Sequence, residues 1–204
     1  GRPIPTRSTL VAGATEPACP KQGRPSPAAG SAIGILRAAA TPLGSHRVTS
    51  PLATFLQEIG TTRATGANTP ETSFYPAVKQ LLDTVGRDLN PKVLCVMNLR
   101  NQGAGLPDGG LFTADQFGRG ATASEVEAAF GARKPSRGVI EVKPPPNDLA
   151  ELARSKQAND YGRSYRHVLL VNLREFALVE YSERGPNTLE QFALAKSDRE
   201  FWAM

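Results

Sequence analysis

Two cysteines, two histidines and one tryptophan in 204 residues leave little room for several kinds of chemistry. Cys19 and Cys95 are too few for a disulfide framework and lack the spacing of a metal-binding pair. Cys95 sits in an apolar run and reads as a small buried hydrophobe, which fits a reducing, cytoplasmic setting. His46 falls in a low-complexity leader, and His167 opens a strand beside Arg166. Zinc hydrolysis, which needs several imidazole or thiolate ligands, is therefore not expected. No stretch approaches the ~20 apolar residues of a membrane span. Residues 32–36 are too short for a signal core and end at Arg37. A Gly-x-Ser-x-Gly elbow and a phosphate loop are both missing. Gly103 and Gly105 begin a near-match to a dinucleotide fingerprint, which fails because Asp108 occupies the third glycine position.

Charge is also scarce where it would matter. The chain carries +5, but residues 1–50 hold six basic side chains (Arg2, Arg7, Lys21, Arg24, Arg37, Arg47) against Glu16 alone. Taking these from the totals of 24 basic and 19 acidic residues leaves 18 of each sign. A basic total is thus no sign of a nucleic-acid partner, and any such conclusion must come from a site. Residues 1–49 are rich in Pro, Gly, Ser, Thr and Ala and have no sustained periodicity. Such a segment buries too little apolar surface to offset the entropy of ordering, so it is expected to be a disordered tail. An Arg-rich, acid-poor leader also has the look of a transit peptide, and a start placed upstream of the true domain would look the same.

What is present begins near Ser50, and residues 50–204 are expected to form one domain. Leu52, Phe55, Leu56 and Ile59 recur at helical spacing, with Gly60 as the expected stop and 61–68 as a loop. Thr69-Pro70-Glu71 reads as an N-cap, a first-turn proline and a first-turn acid. Phe74, Val78, Leu81, Leu82 and Val85 follow as a buried helical face. Pro76 means that this helix either starts later than Pro70 or is kinked. Residues 93–99 read as a strand buried on both faces, and 106–114 as a second strand after a turn at 101–105. Residues 115–136 read as an insertion with a short helix at 124–130. A helix capped by Asn147 or Asp148 should then carry a ridge of Leu149, Ala153, Gln157, Tyr161 and Tyr165. A strand at 168–171 is followed by a hairpin of 176–181 and 189–194 turning through 183–187. A short helix ends at Phe201 and Trp202, aromatics that suggest a longer polypeptide beyond. A mixed sheet with helices on its faces is the expected architecture.

The chemistry gathers around Val139-Ile140-Glu141-Val142-Lys143, read with Pro107-Asp108 upstream. In a strand, Val139, Glu141 and Lys143 share one face, while Ile140 and Val142 point to the other. A carboxylate and an ammonium then stand together at the end of a core strand. If Asp108 lies on the neighbouring strand, a second carboxylate joins them. Two hard oxygen ligands beside a lysine suit a divalent cation and a water nucleophile, as in phosphodiester hydrolysis. Asp108 and Glu141 are the expected ligands, with the Val142 carbonyl as a third oxygen and Glu71 reaching the ion through water. Lys143 is placed to orient the water and stabilise developing charge.

Taken singly, each piece is ordinary. Glu-Val-Lys is a common strand face, Pro-Asp-Gly-Gly a common turn, and Glu71 a common first-turn acid. Arg163 and Arg166 read as solvated surface charge. Their shared order on matching element types is what singles them out.

That order resembles the PD-(D/E)XK nuclease superfamily. Gln157 and Tyr161 reproduce the Gln-x-x-x-Tyr pattern of one of its branches. Residues 50–204 are similar to the N-terminal nuclease domain of proteins that fuse restriction with adenine methylation. The resemblance implies an α/β, restriction-endonuclease-like mixed central sheet flanked by helices. It further implies Mg²⁺-dependent cleavage of double-stranded DNA leaving a 5′-phosphate, with Mn²⁺ a substitute. A methyltransferase and a target-recognition domain would follow in cis, although this chain has no Asn-Pro-Pro-Tyr motif. Asp108, Glu141, Lys143 and Gln157 would be catalytic, with Tyr161 packing the helix on the sheet. Two other readings remain at this stage: a catalytically silent DNA-binding module of a methyltransferase, and a stand-alone repair nuclease.

Overall fold

The structure, a computed structural model, describes residues 50–66, 70–99, 105–117 and 134–204. The leader 1–49, the Thr69 cap, most of the 101–105 turn and the helix expected at 124–130 lie outside the described residues. Five helices are described: α1 (Pro51–Ala64), α2 (Tyr75–Gly86), α3 (Leu149–Arg154), α4 (Lys156–Tyr165) and α5 (Asp198–Phe201). The strands are β1 (Val93–Met97), β2 (Gly109–Thr113), β3 (Gly138–Val142), β4 (His167–Val171), β5 (Glu175–Ser182) and β6 (Gly185–Ala193). They form one sheet in sequence order. Neighbours are antiparallel except β3 and β4, which run parallel. Parallel neighbours need a long crossover, and α3 with α4 supplies it.

Strand alternation sends one set of side chains to each face. Ile140, Val142, Leu169, Val171 and Phe176 meet Phe55, Ile59, Val78, Leu81 and Leu82 of α1 and α2. Val139, Val168, Leu170 and Val179 meet Ala153, Ala158, Tyr161 and Tyr165 of α3 and α4. The result is a mixed sheet covered by helices on both faces, the class the sequence predicts. Gly162 lets α4 lie close on β5, since a Cβ there would sit 2.0 Å from Tyr181 Cγ.

Several boundaries differ from expectation, each for a local reason. Gly60 does not end α1, which runs to Ala64. An interior glycine weakens a helix by roughly 1 kcal/mol without breaking it. Thr61 Oγ1 donates to the Gln57 carbonyl, and Arg63 stacks 3.9 Å over the Trp202 ring, so the last turn has partners. The second helix starts late: Glu71–Phe74 forms a 3₁₀ turn, and α2 begins at Tyr75 with Pro76 in its first turn. There the missing N–H of Pro76 has no helical partner to lose. Strand β1 is not buried on both faces. It is an edge strand with Leu94 36 % exposed, tied to α2 where Cys95 N–H donates to Asp83 Oδ1 at 2.8 Å. The hairpin turns through Glu183 and Arg184 alone, because Gly185, Pro186 and Asn187 already pair with β5. Pro186 is tolerated there because β6 is an edge.

The ridge at 149–165 is two helices rather than one. Ser155 is extended (φ −61°, ψ 154°) and its hydroxyl accepts from Ala158 N–H at 3.1 Å, capping α4. Asn159 Nδ2 donates back to the carbonyls of Arg154 and Ser155, satisfying the end of α3. A serine that caps competes with helix continuation, and here the cap wins. Ser155→Ala is expected to lower stability by about 1 kcal/mol in urea denaturation, the ordinary worth of an N-cap. An unchanged midpoint would show that the break rests on something else.

Candidate active site

The site lies at the rim of the sheet, where β2 begins and β3 ends. Gly109 pairs with Ile140 in antiparallel register. One step further along the same ladder puts Asp108 opposite Glu141, and directly opposed residues share a face. Gly105, at φ +98°, would bring a Cβ within 3.1 Å of Tyr161 Cε1, so the segment leading to Asp108 packs against α4.

Asp108 is half-buried and held by two donors. Tyr75 O–H donates to its Oδ1 at 2.5 Å, and Val142 N–H donates to its Oδ2 at 2.8 Å. Glu141 is the opposite case. It is 1 % exposed, and its carboxylate has no polar partner among the described residues apart from the Lys143 ammonium. Lys143 Nζ stands 2.6 Å from Glu141 Oε1, forming an ion pair. Burial pushes the Glu141 carboxyl up to about 7; Lys143 opposes this, and the negative charges of Asp108 and Glu71 add to it.

Lys143 follows β3, anchored where its N–H donates to the Val171 carbonyl at 2.7 Å. Its Nζ also lies 3.8 Å from Glu71 Oε1. Burial alone would lower the lysine, but Glu141, Glu71 and Asp108 together hold the ammonium above its ordinary range. Glu71 is itself raised, first by burial and then by Asp108, against the pull of Lys143. Three carboxylates against one ammonium leave the site with a surplus of negative charge.

Gln157 and Tyr161 stand one turn apart on α4, and Gln157 Nε2 donates to Tyr161 Oη at 2.9 Å. Tyr161 is buried, and burial raises its hydroxyl pKa, with Glu141 and Asp108 adding to the rise. Gln157 is exposed and bonds to none of the acids; it lines a cleft of about 470 Å³ with Gly105, Leu106, Lys156, Asp160 and Tyr161. Arg163 and Arg166 lie away from the acids, where Arg166 pairs with Glu180 at 2.8 Å. His167 is 3.8 Å from the same glutamate. The sequence therefore nominates Glu71, Asp108, Glu141 and Lys143, which the fold brings together, and Gln157 with Tyr161, which border them.

Tyr75 was missed. Its signal was the four-residue step from Glu71, which puts two polar tips on one side of a helical turn. Tyr75 O–H also lies 3.3 Å from Glu71 Oε1.

The donor set fits a divalent cation. Asp108 and Glu141 supply hard carboxylate oxygens of the kind that suits Mg²⁺, and the site carries more acids than its one ammonium balances. Among the described residues no three His, Cys, Asp or Glu side chains converge as a metal cluster. A cation here would thus rest on Asp108, Glu141 and backbone oxygen rather than on a cage of acids.

No family model matches the chain, and neither does any curated protein. Among solved structures the chain is similar to a "cryoEM structure DrdV-DNA complex". The TM-score is 0.49 at 16 % identity, covering 72 % of this chain and 87 % of that one. A likeness of this size decides nothing about substrate or chemistry, which must come from the side chains. No helix among the described residues is long and apolar enough to cross a membrane.

Proposed function

We propose that residues 50–204 form a Mg²⁺-dependent endonuclease domain of the PD-(D/E)XK kind, acting on double-stranded DNA. The observation that carries this reading is Glu141: a buried carboxylate whose one close polar partner among the described residues is Lys143, one residue from the Asp108-bound Val142 N–H. Such a group destabilises the fold that contains it, so its use lies outside folding.

Asp108 and Glu141 would hold the cation with the Val142 carbonyl, and Glu71 would sit behind them through water. A cation held there would supply a Lewis acid for the phosphate and an acidified water. Lys143 remains an ammonium and spends one N–H direction on Glu141, leaving others to orient the attacking water and a phosphate oxygen. Gln157, exposed in its cleft with Tyr161 behind it, offers an amide to the DNA backbone. In this reading the domain works as the restriction part of a longer protein with a methyltransferase and a recognition domain.

The test is plasmid nicking by the full chain. Wild type is expected to nick with Mg²⁺, with Mn²⁺ as a substitute, and to stop in excess EDTA, whereas Asp108→Ala should be inactive in both. Equal nicking by the two proteins would make the catalytic assignment wrong, and nicking by neither would leave a silent DNA-binding module as the better account.

A further inference from the structure

The two acids of the site are held very differently. Each carboxylate oxygen carries two lone pairs. Asp108 has one hydrogen bond on each oxygen, so one lone pair on each stays open. Glu141 has only the Lys143 ammonium beside it among the described residues. Val142 N–H fixes one end of the Asp108 carboxylate through the backbone of β3, and Tyr75 fixes the other from the start of α2.

The Tyr75 donor is itself rigid. Tyr75 is 6 % exposed and packs in the same apolar cluster as Phe74, Val78 and Leu82. It opens α2 directly after the 3₁₀ turn that carries Glu71, so one short segment delivers both groups. A hydroxyl has one proton to give. The 2.5 Å contact with Asp108 takes it ahead of the 3.3 Å contact with Glu71.

We infer that Tyr75 is a positioning residue whose hydroxyl fixes the Asp108 carboxylate in the orientation that presents its open lone pairs to a divalent cation shared with Glu141. The inference rests on the reading of Asp108 and Glu141 as a cation-holding pair. Without Tyr75 the Asp108 side chain is tethered at one oxygen and free to swing at the other. Removing the partner of a metal-ligating carboxylate typically weakens binding by roughly 10–100-fold.

The experiment is a Mn²⁺ titration of the full chain followed by electron paramagnetic resonance, with wild type, Tyr75→Phe and Asp108→Asn. Tyr75→Phe keeps the buried ring, so a purely structural role would leave the affinity alone; a thermal melt alongside checks the fold. The expected result is a Kd raised about 10–100-fold in Tyr75→Phe with the melting temperature little changed. Unchanged affinity in Tyr75→Phe while Asp108→Asn loses the ion would overturn the role of Tyr75 and leave the site standing. Tighter binding would also overturn it, since Tyr75 would then compete with the ion. If Asp108→Asn binds Mn²⁺ like wild type, the cation-holding pair itself is wrong.

Discussion

Lys143→Met is expected to abolish nicking and to destabilise the protein far more at alkaline than at acid pH. Lys143 is the group closest to a carboxylate that is 1 % exposed and otherwise without a bond. Removing it leaves Glu141 as an uncompensated buried charge. Breaking such a pair costs about 3–5 kcal/mol when both partners are buried; with the lysine side chain 25 % exposed, roughly 2–4 kcal/mol is expected at about pH 8. Near pH 5 the deficit should shrink, because Glu141 then takes up a proton and no longer needs a cation beside it. Adding Glu141→Gln to the same protein should restore most of the stability and none of the activity. The two sites touch, so their effects should be non-additive, with a coupling of roughly 0.5–3 kcal/mol. Loss of the ammonium should lower the nicking rate by at least ~10²–10³-fold, the usual worth of a charge placed at a developing anion. Urea denaturation in EDTA at the two pH values, with plasmid assays alongside, measures both. An equal loss of stability at both pH values would mean that Glu141 does not titrate in the folded state as proposed.

What could be read from the chain, and what could not, follows the range of the interactions concerned. Strand β3 announced itself by alternation, and the same alternation put Glu141 on the α4 face with Val139. Asp108 could be placed near it only on the condition that their strands are neighbours, since an insertion separates them in the chain and the register that aligns β2 with β3 is a long-range fact. The apolar run of β1 looks alike in a central or an edge strand, because its place in the sheet is decided by partners far along the chain. Leu94 is exposed for that reason. The Ser155 break was hidden for a different reason: a ridge stepping by fours passes through it without a fault, and the cap depends on a hydroxyl choosing a backbone N–H. Tyr75 was hardest to see. On the chain it is one more aromatic at the start of an apolar helix, and its importance lies in the 33 residues that separate it from Asp108.

Glu141→Gln carries the sharpest consequence, because it should make the protein inactive and more stable together. The sign can be worked from the pKa. The folded carboxyl is pushed up to about 7 by burial, from 4.5 for an unperturbed glutamate. Below 4.5 both folded and unfolded chains hold the proton, and the group favours neither. Between 4.5 and about 7 the folded chain binds the proton and the unfolded chain does not, so stability falls as pH rises. Above about 7 the folded chain carries the full electrostatic burden of a buried charge. Glutamine resembles the protonated acid at every pH. Its advantage over wild type should be near zero at about pH 4.5 and should grow to roughly 2–3 kcal/mol at about pH 8. Urea unfolding in EDTA at these two pH values reads the difference directly. Millimolar Mg²⁺ should narrow the gap by stabilising wild type and not the variant, since a ligand that binds only the folded chain adds its binding free energy to stability. A pH-independent gap, or a less stable variant at high pH, would show that Lys143 fully neutralises Glu141. The buried acid would then be a structural ion pair, with no stored cost for a cation to relieve.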